Sequence, residues 1–96
     1  MKIGDNVIMW SGNHIGHSAE IGDHCFVSSH VVISGYTRIG AYSFLGVNST
    51  FRDDITVGQS NVIGAGAIIM KDTQDHEVYV PERTKAFPKR SDEIDF

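Results

Sequence analysis

At 96 residues the chain makes one domain, residues 1–96, near the length at which an ordinary single hydrophobic core becomes marginal. Eight Lys and Arg against twelve Asp and Glu leave a net charge of −4, without the clustered basic surface that a nucleic-acid binder needs. A lone cysteine, Cys25, excludes an intramolecular disulfide and fits a reducing compartment. The start Met1-Lys2-Ile3-Gly4-Asp5 has no apolar signal core, and no apolar run approaches membrane-spanning length, so a cytoplasmic protein with no membrane or nucleic-acid partner is expected.

A period of six runs through most of the chain. Cut from Ile3, it reads IGDNVI, MWSGNH, IGHSAE, IGDHCF, VSSHVV, ISGYTR, IGAYSF, LGVNST, FRDDIT, VGQSNV, IGAGAI and IMKDTQ. All twelve first positions, from Ile3 to Ile69, are apolar, and glycine stands at seven of the twelve second positions. The fifth position is mostly small or β-branched, as at Ala19, Cys25, Thr37, Ser43 and Ala67. Such a period matches neither a helical face nor simple strand alternation. It fits a parallel β-helix, all-β, in which three short strands complete a coil of eighteen residues and each hexad sends its first and fifth side chains inward. Glycine at the second position is expected to relieve the backbone where the chain turns.

Four coils follow in order: 3–20, 21–38, 39–56 and 57–74. In the first, Trp10 replaces the corner glycine and so points outward, Asn13 points inward and bonds to turn backbone, and His14 faces out. In the second, His24 is solvent-exposed, Cys25 is a small buried residue, and His30 stacks between Gly12 and Asn48. Glu20 lies above Arg38 in one column, which predicts a solvated ion pair. Asn61, in the fourth coil, repeats the inward role of Asn13. The pattern stops after Gln74. Residues 75–96 read as a capping segment and tail, with Val78-Tyr79-Val80 expected to close the lower end, His76 without a role, and the final residues, Ser91 to Phe96, frayed or weakly packed.

The hexad of aliphatic residue, glycine, two variable positions, small residue and variable position resembles that of the bacterial hexapeptide-repeat acyltransferases. Within them, His14-Ile15-Gly16-His17-Ser18-Ala19-Glu20-Ile21-Gly22 and Phe44-Leu45-Gly46-Val47-Asn48-Ser49 are similar to the sialic-acid and UDP-amino-sugar acetyltransferases of the NeuD type. The resemblance, over about residues 3–74, implies a left-handed coil, a homotrimer, and acetyl-CoA as co-substrate lying between two β-helices, with no metal. It implies His17 as catalytic base and the Gly35 amide as oxyanion donor beside the acetyl-CoA thioester, with backbone at Val47 and Ala65 flanking the pantetheine arm. Lys85, Lys89 and Arg90 are candidates for the CoA phosphates or for simple solvation. Those relatives usually carry an N-terminal sugar-nucleotide domain with no counterpart here; a shortened natural protein, a gene fragment and a domain that works with a separate sugar-binding domain or partner all fit.

The spacing supports part of this assignment. His17 and Gly35 both take the third position of their hexads, eighteen residues apart, and so stack at about one strand spacing of 4.8 Å, in a column continued by Asp53 and Lys71. Val47 and Ala65 share another column, with Ser11 and Ser29. Acetyl transfer needs a base near neutral pH, which histidine supplies, and amides aimed at the developing oxyanion. Ser18 departs from the related enzymes, where Asp or Glu follows the histidine and raises its basicity. The expected activity is acetylation of a hydroxyl or amine of a sugar or sugar nucleotide. The rivals are a non-catalytic trimeric scaffold and an acyltransferase for a small non-sugar acceptor.

Overall fold

A computed structural model describes residues 1–95. Three parallel sheets wind around one core. The first stacks Lys2–Ile3 (β1), Glu20–Ile21 (β4), Arg38–Ile39 (β7) and Thr56–Val57 (β10). The second stacks Ile8–Met9 (β2), Phe26–Val27 (β5), Phe44–Leu45 (β8), Val62–Ile63 (β11) and Val78–Tyr79 (β13). The third stacks His14–Ile15 (β3), Val32–Ile33 (β6), Thr50–Phe51 (β9) and Ile68–Ile69 (β12). Down to Ile69 every residue pairs with the one a full coil away, as Ile3 with Ile21 and Ile21 with Ile39. The chain is thus the all-β parallel solenoid of about four coils that the hexads predict.

Each hexad but the last places its turn at the third and fourth residues, and the fourth takes a left-handed backbone, for example Asn6 (φ 57°), Gly12 (74°), Tyr36 (63°) and Gly66 (75°). Every buried hydrophobic residue of the core comes from a first or fifth position, with Val27, Ile33, Leu45, Phe51 and Ile63 fully enclosed.

The second-position glycines answer a need other than the one read in the sequence. Their φ is not left-handed; the left-handed residues are mostly non-glycine. What they provide is room. A Cβ on Gly16 would lie 2.4 Å from the Gly35 nitrogen, one on Gly22 2.7 Å from the Ala41 nitrogen, and one on Gly46 2.6 Å from the Ala65 nitrogen. The coil below passes too close for any side chain.

Polar residues at the fifth position are tied to the wall. Cys25 Sγ donates to Gly40 O (3.2 Å), Thr37 Oγ1 to Arg52 O (2.6 Å) and Ser43 Oγ to Gly58 O (3.2 Å). Asn13 Nδ2 donates to Trp10 O and its Oδ1 accepts from Val31 N, both at 2.8 Å. Asn61 Nδ2 donates to Gln59 O (3.0 Å) and Gln74 O (2.8 Å), while its Oδ1 accepts from Thr73 Oγ1 (2.6 Å). Both inward asparagines therefore bond to turn backbone, as expected.

The lower end is built differently from the expectation. Val78 pairs with Val62 and Tyr79 with Ile63, sixteen residues apart, so the last corner is two residues short of a full coil. Val78 and Val80 remain 63% and 78% exposed, and only Tyr79 of this trio packs on the core. The segment extends the second sheet by one strand and does not plug the end. The lower edge of the first sheet is closed by side chains: Asp72 Oδ1 accepts from Thr56 N (2.8 Å), Thr73 Oγ1 from Gly58 N (2.9 Å) and Asp75 Oδ1 from Gln59 N (2.8 Å). Beyond it, Ser91–Glu93 form a short 3-10 turn with no buried residue, and Phe96 lies outside the described residues. Among the described residues no helix is long and apolar enough to cross a membrane.

Asn61 ties the two ends of the last coil together through three contacts, to Gln59, Thr73 and Gln74, of which the one to Thr73 is buried. Asn61→Ala should lower the unfolding free energy by about 1–3 kcal/mol, the cost of leaving a buried partner unpaired, measured by denaturant titration. Gln59→Ala, at an exposed third position of the same coil without a left-handed backbone, is the comparison expected to change it less.

Candidate active-site corner

His17 and Ser18 form the turn that carries the chain from the third sheet to the first, and the imidazole is exposed. Gly35 lies directly beneath. Tyr36 N donates to His17 O at 2.9 Å, and a Cβ on Gly35 would stand 3.1 Å from that same oxygen. The column continues through Asp53, with Asp54 N donating to Gly35 O at 3.0 Å. Gly35 N donates to no acceptor among the described residues. The corner thus stacks the backbone of an exposed histidine over a residue with no side chain and a free amide.

Two neighbours complete this corner. The Tyr36 ring meets the His17 ring edge to face, with centroids 5.6 Å apart and planes at 89°. Arg38 Nη1 donates to Tyr36 O (2.8 Å), Arg38 Nε donates to Thr56 Oγ1 (2.9 Å), and the guanidinium reaches Asp54 at 3.4 Å. The expected Glu20–Arg38 ion pair does not form. Arg38 turns down to a carbonyl, a hydroxyl and a carboxylate together, and Glu20 is left to Lys2 at 4.0 Å. Tyr36 was missed in the sequence because it belongs to a different column position from His17. Its only advance signal was a bulky residue one place after the glycine stacked under the histidine.

Val47 and Ala65 lie together on another corner, between the second and third sheets, both exposed, with Gly66 N donating to Val47 O at 2.8 Å. The structure therefore brings His17 to Gly35 and Val47 to Ala65, but the third sheet separates the two pairs within one chain. Gly46, beside Val47, is buried with no room for a Cβ, so a bulky residue there would disturb the fold itself; Ala65 is open to substitution.

The remaining histidines divide clearly. His24 stacks on Tyr42 (4.9 Å, planes at 24°) and its Nδ1 lies 3.0 Å from Asn6 Nδ2. His30 lies over Gly12, where a Cβ would come 2.4 Å from its ring. His14 is exposed at the start of β3, and His76 sits in the last turn. No group of three or more His, Cys, Asp or Glu among the described residues is placed to hold a metal ion. Trp10 is outward and packs edge-on against Phe26 at 5.3 Å, which stacks on Phe44 at 5.4 Å. Lys85, Lys89 and Arg90 are exposed, with Arg90 paired to Asp92 at 2.8 Å. Cys25 is buried and free, and burial pushes its thiol above the ordinary range despite backbone bonds that pull the other way.

This geometry is that of a hexapeptide-repeat parallel solenoid. Residues 1–35 match the bacterial transferase hexapeptide (six repeats) family, so the resemblance read from the sequence holds in both repeat and fold. No curated protein matches the sequence. Among solved structures, a histidine-to-asparagine mutant of perosamine N-acetyltransferase from Caulobacter crescentus, in complex with CoA and GDP-perosamine, is 26% identical with a TM-score of 0.77 over 88% of this chain. Serine acetyltransferase (CysE) from Neisseria gonorrhoeae, in complex with serine, is 22% identical with a TM-score of 0.80, again over 88% of this chain. The chain spans 41% and 39% of the lengths of those two proteins.

Because folding keeps the Cys25 thiol protonated, the folded state binds the proton more tightly than the unfolded state. Stability should therefore fall as pH rises above the ordinary thiol range, and Cys25→Ala should reduce that fall. Alkylation followed by mass spectrometry should show Cys25 reacting slowly in the native protein and quickly in denaturant.

Proposed function

We propose that the chain is the repeat domain of an acetyl-CoA-dependent acetyltransferase acting on a hydroxyl or amine of a sugar or sugar nucleotide. The observation that carries this reading is the exposed His17 stacked, backbone on backbone, over Gly35 and its free amide. His17 takes the proton from the acceptor as its oxygen or nitrogen attacks the thioester carbonyl. The Gly35 amide donates to the oxyanion that forms there. As the carbon–sulfur bond breaks, the CoA thiolate leaves and takes up the proton held by His17. The sugar class of acceptor is supported by the 26% identical perosamine enzyme, whose structure holds CoA and GDP-perosamine. Acceptor recognition falls to a further domain or partner, since the chain spans about two fifths of that enzyme.

The partner in assembly is the chain itself. Val47 and Ala65, proposed to flank the pantetheine arm, sit on a different corner from His17 and Gly35. A homotrimer, in which one copy's corner faces another's, makes a single site of the two pairs. One observation favours the non-catalytic scaffold reading: His17 has Ser18 beside it, and no carboxylate bonds its ring among the described residues. Measured turnover decides between the two.

His17→Ala should lower acetyl transfer by about 10²–10⁴-fold, the usual range for a positioned general base, with little change in acetyl-CoA affinity. Ser18→Asp should raise the rate or move its pH profile upward by giving the imidazole a carboxylate neighbour. Thiol release from acetyl-CoA against a panel of amino sugars and sugar nucleotides reads both. A parent protein with no turnover on any acceptor, with and without the upstream domain supplied, would make the scaffold the better reading.

Light scattering should give the mass of a trimer at micromolar concentration. In the same preparation Ala65→Trp should weaken acetyl-CoA binding by calorimetry while the β-rich spectrum persists, because an extended ligand passing close to backbone tolerates little side chain. A stable monomer would remove the shared site.

A further inference from the structure

The fourth position of every hexad but the last takes a left-handed backbone, and Asn6, Gly12, Asn48 and Gly66 fill it with residue types that adopt it readily. Tyr36 adopts it at φ 63°, where a bulky side chain is an outlier, and such outliers gather at functional sites. The residue is 53% exposed, so core burial does not account for it. What the ring does meet is His17, edge to face, with centroids 5.6 Å apart.

We propose that Tyr36 is the positioning residue for His17, its ring fixing the orientation of the imidazole at the Gly35 corner. The inference rests on the acyl-transfer reading and supplies an orienting partner in the setting where Ser18 offers no carboxylate. The turn that carries Tyr36 is braced on both sides. Its N–H donates to His17 O at 2.9 Å, and its carbonyl accepts from Arg38 Nη1 at 2.8 Å. Arg38 is itself held by Thr56 Oγ1 at 2.9 Å and by Asp54 at 3.4 Å. The ring is therefore aimed from a fixed backbone.

Tyr42 makes the contrast. It has the same φ of 63° and stacks on His24, but Asn6 Nδ2 already lies 3.0 Å from His24 Nδ1. The His17 ring has no hydrogen-bond partner among the described residues, so its orientation depends on Tyr36. An edge-to-face aromatic pair is worth enough to change a population about two- to tenfold.

The test uses the full chain and three variants: Tyr36→Phe, Tyr36→Asn and His17→Ala. Tyr36→Phe keeps the ring and should keep kcat within about twofold. Tyr36→Asn suits the left-handed backbone, so its thermal midpoint should equal or exceed the parent's, while kcat falls about two- to tenfold and KM for acetyl-CoA stays the same. A purely structural tyrosine would instead lower the midpoint when removed. The His17 ring proton resonances should match in the parent and Tyr36→Phe and move toward free-imidazole values in Tyr36→Asn. Unchanged kcat or unmoved His17 resonances in Tyr36→Asn, with turnover lost in His17→Ala, overturns the positioning role and leaves the acyl-transfer reading standing. Turnover that survives His17→Ala, or is absent from the parent, overturns the reading of His17 as base and the positioning role with it.

Discussion

The whole molecule depends on how closely one coil lies on the next. Parallel strands stack at about 4.8 Å, and at the corners the backbones come close enough that a Cβ on Gly16, Gly22 or Gly46 would land within 2.4–2.7 Å of an amide nitrogen below. The second-position glycines permit that approach. Once the corners touch, the eighteen-residue register follows, and with it the columns that put His17 over Gly35 and Val47 over Ala65. A substitution at one such glycine would therefore shift two coils, because the obstruction is backbone and not a movable side chain.

The interior is narrow, and this explains why so many of its residues are polar and small. The fifth side chain points in beside a corner, where the carbonyl of a second-position residue in the coil below is within reach. Cys25, Thr37 and Ser43 each donate to such a carbonyl, fifteen residues ahead. These bonds are part of the wall, and no buried side-chain nitrogen or oxygen among the described residues lacks a partner. The same narrowness places large apolar residues at first positions, where Phe51 and Leu45 span the core.

The coil pattern could be read from the sequence because it is periodic: the twelve apolar first positions and the small fifth positions together admit one architecture. The role of the glycines was misread, since spacing reveals that a residue must be small but not whether the reason is room or backbone freedom. The lower end was unreadable for a different reason. Asp72, Thr73 and Asp75 cap a sheet edge through a corner two residues short, and their letters look like ordinary solvated turn residues. Arg38 was also ambiguous, because a column names the residue above and the residue below but not which the side chain will choose.

At the candidate corner the repeat supplies the geometry and the individual residues supply the chemistry. Turns of similar backbone recur at every hexad but the last, so neither the stacking nor an outward third position distinguishes His17 from Asp23 or Ser29. What distinguishes it is the combination of a histidine above, glycine below and a tyrosine at its edge, with Arg38 locking the turn beneath. Columns run along the prism and corners lie across it. Residues can therefore cooperate within one chain along a column, whereas residues on different corners, such as Gly35 and Ala65, need a second copy to meet. On the proposed trimeric reading, assembly is part of the chemistry, because it joins what the winding of a single chain keeps apart.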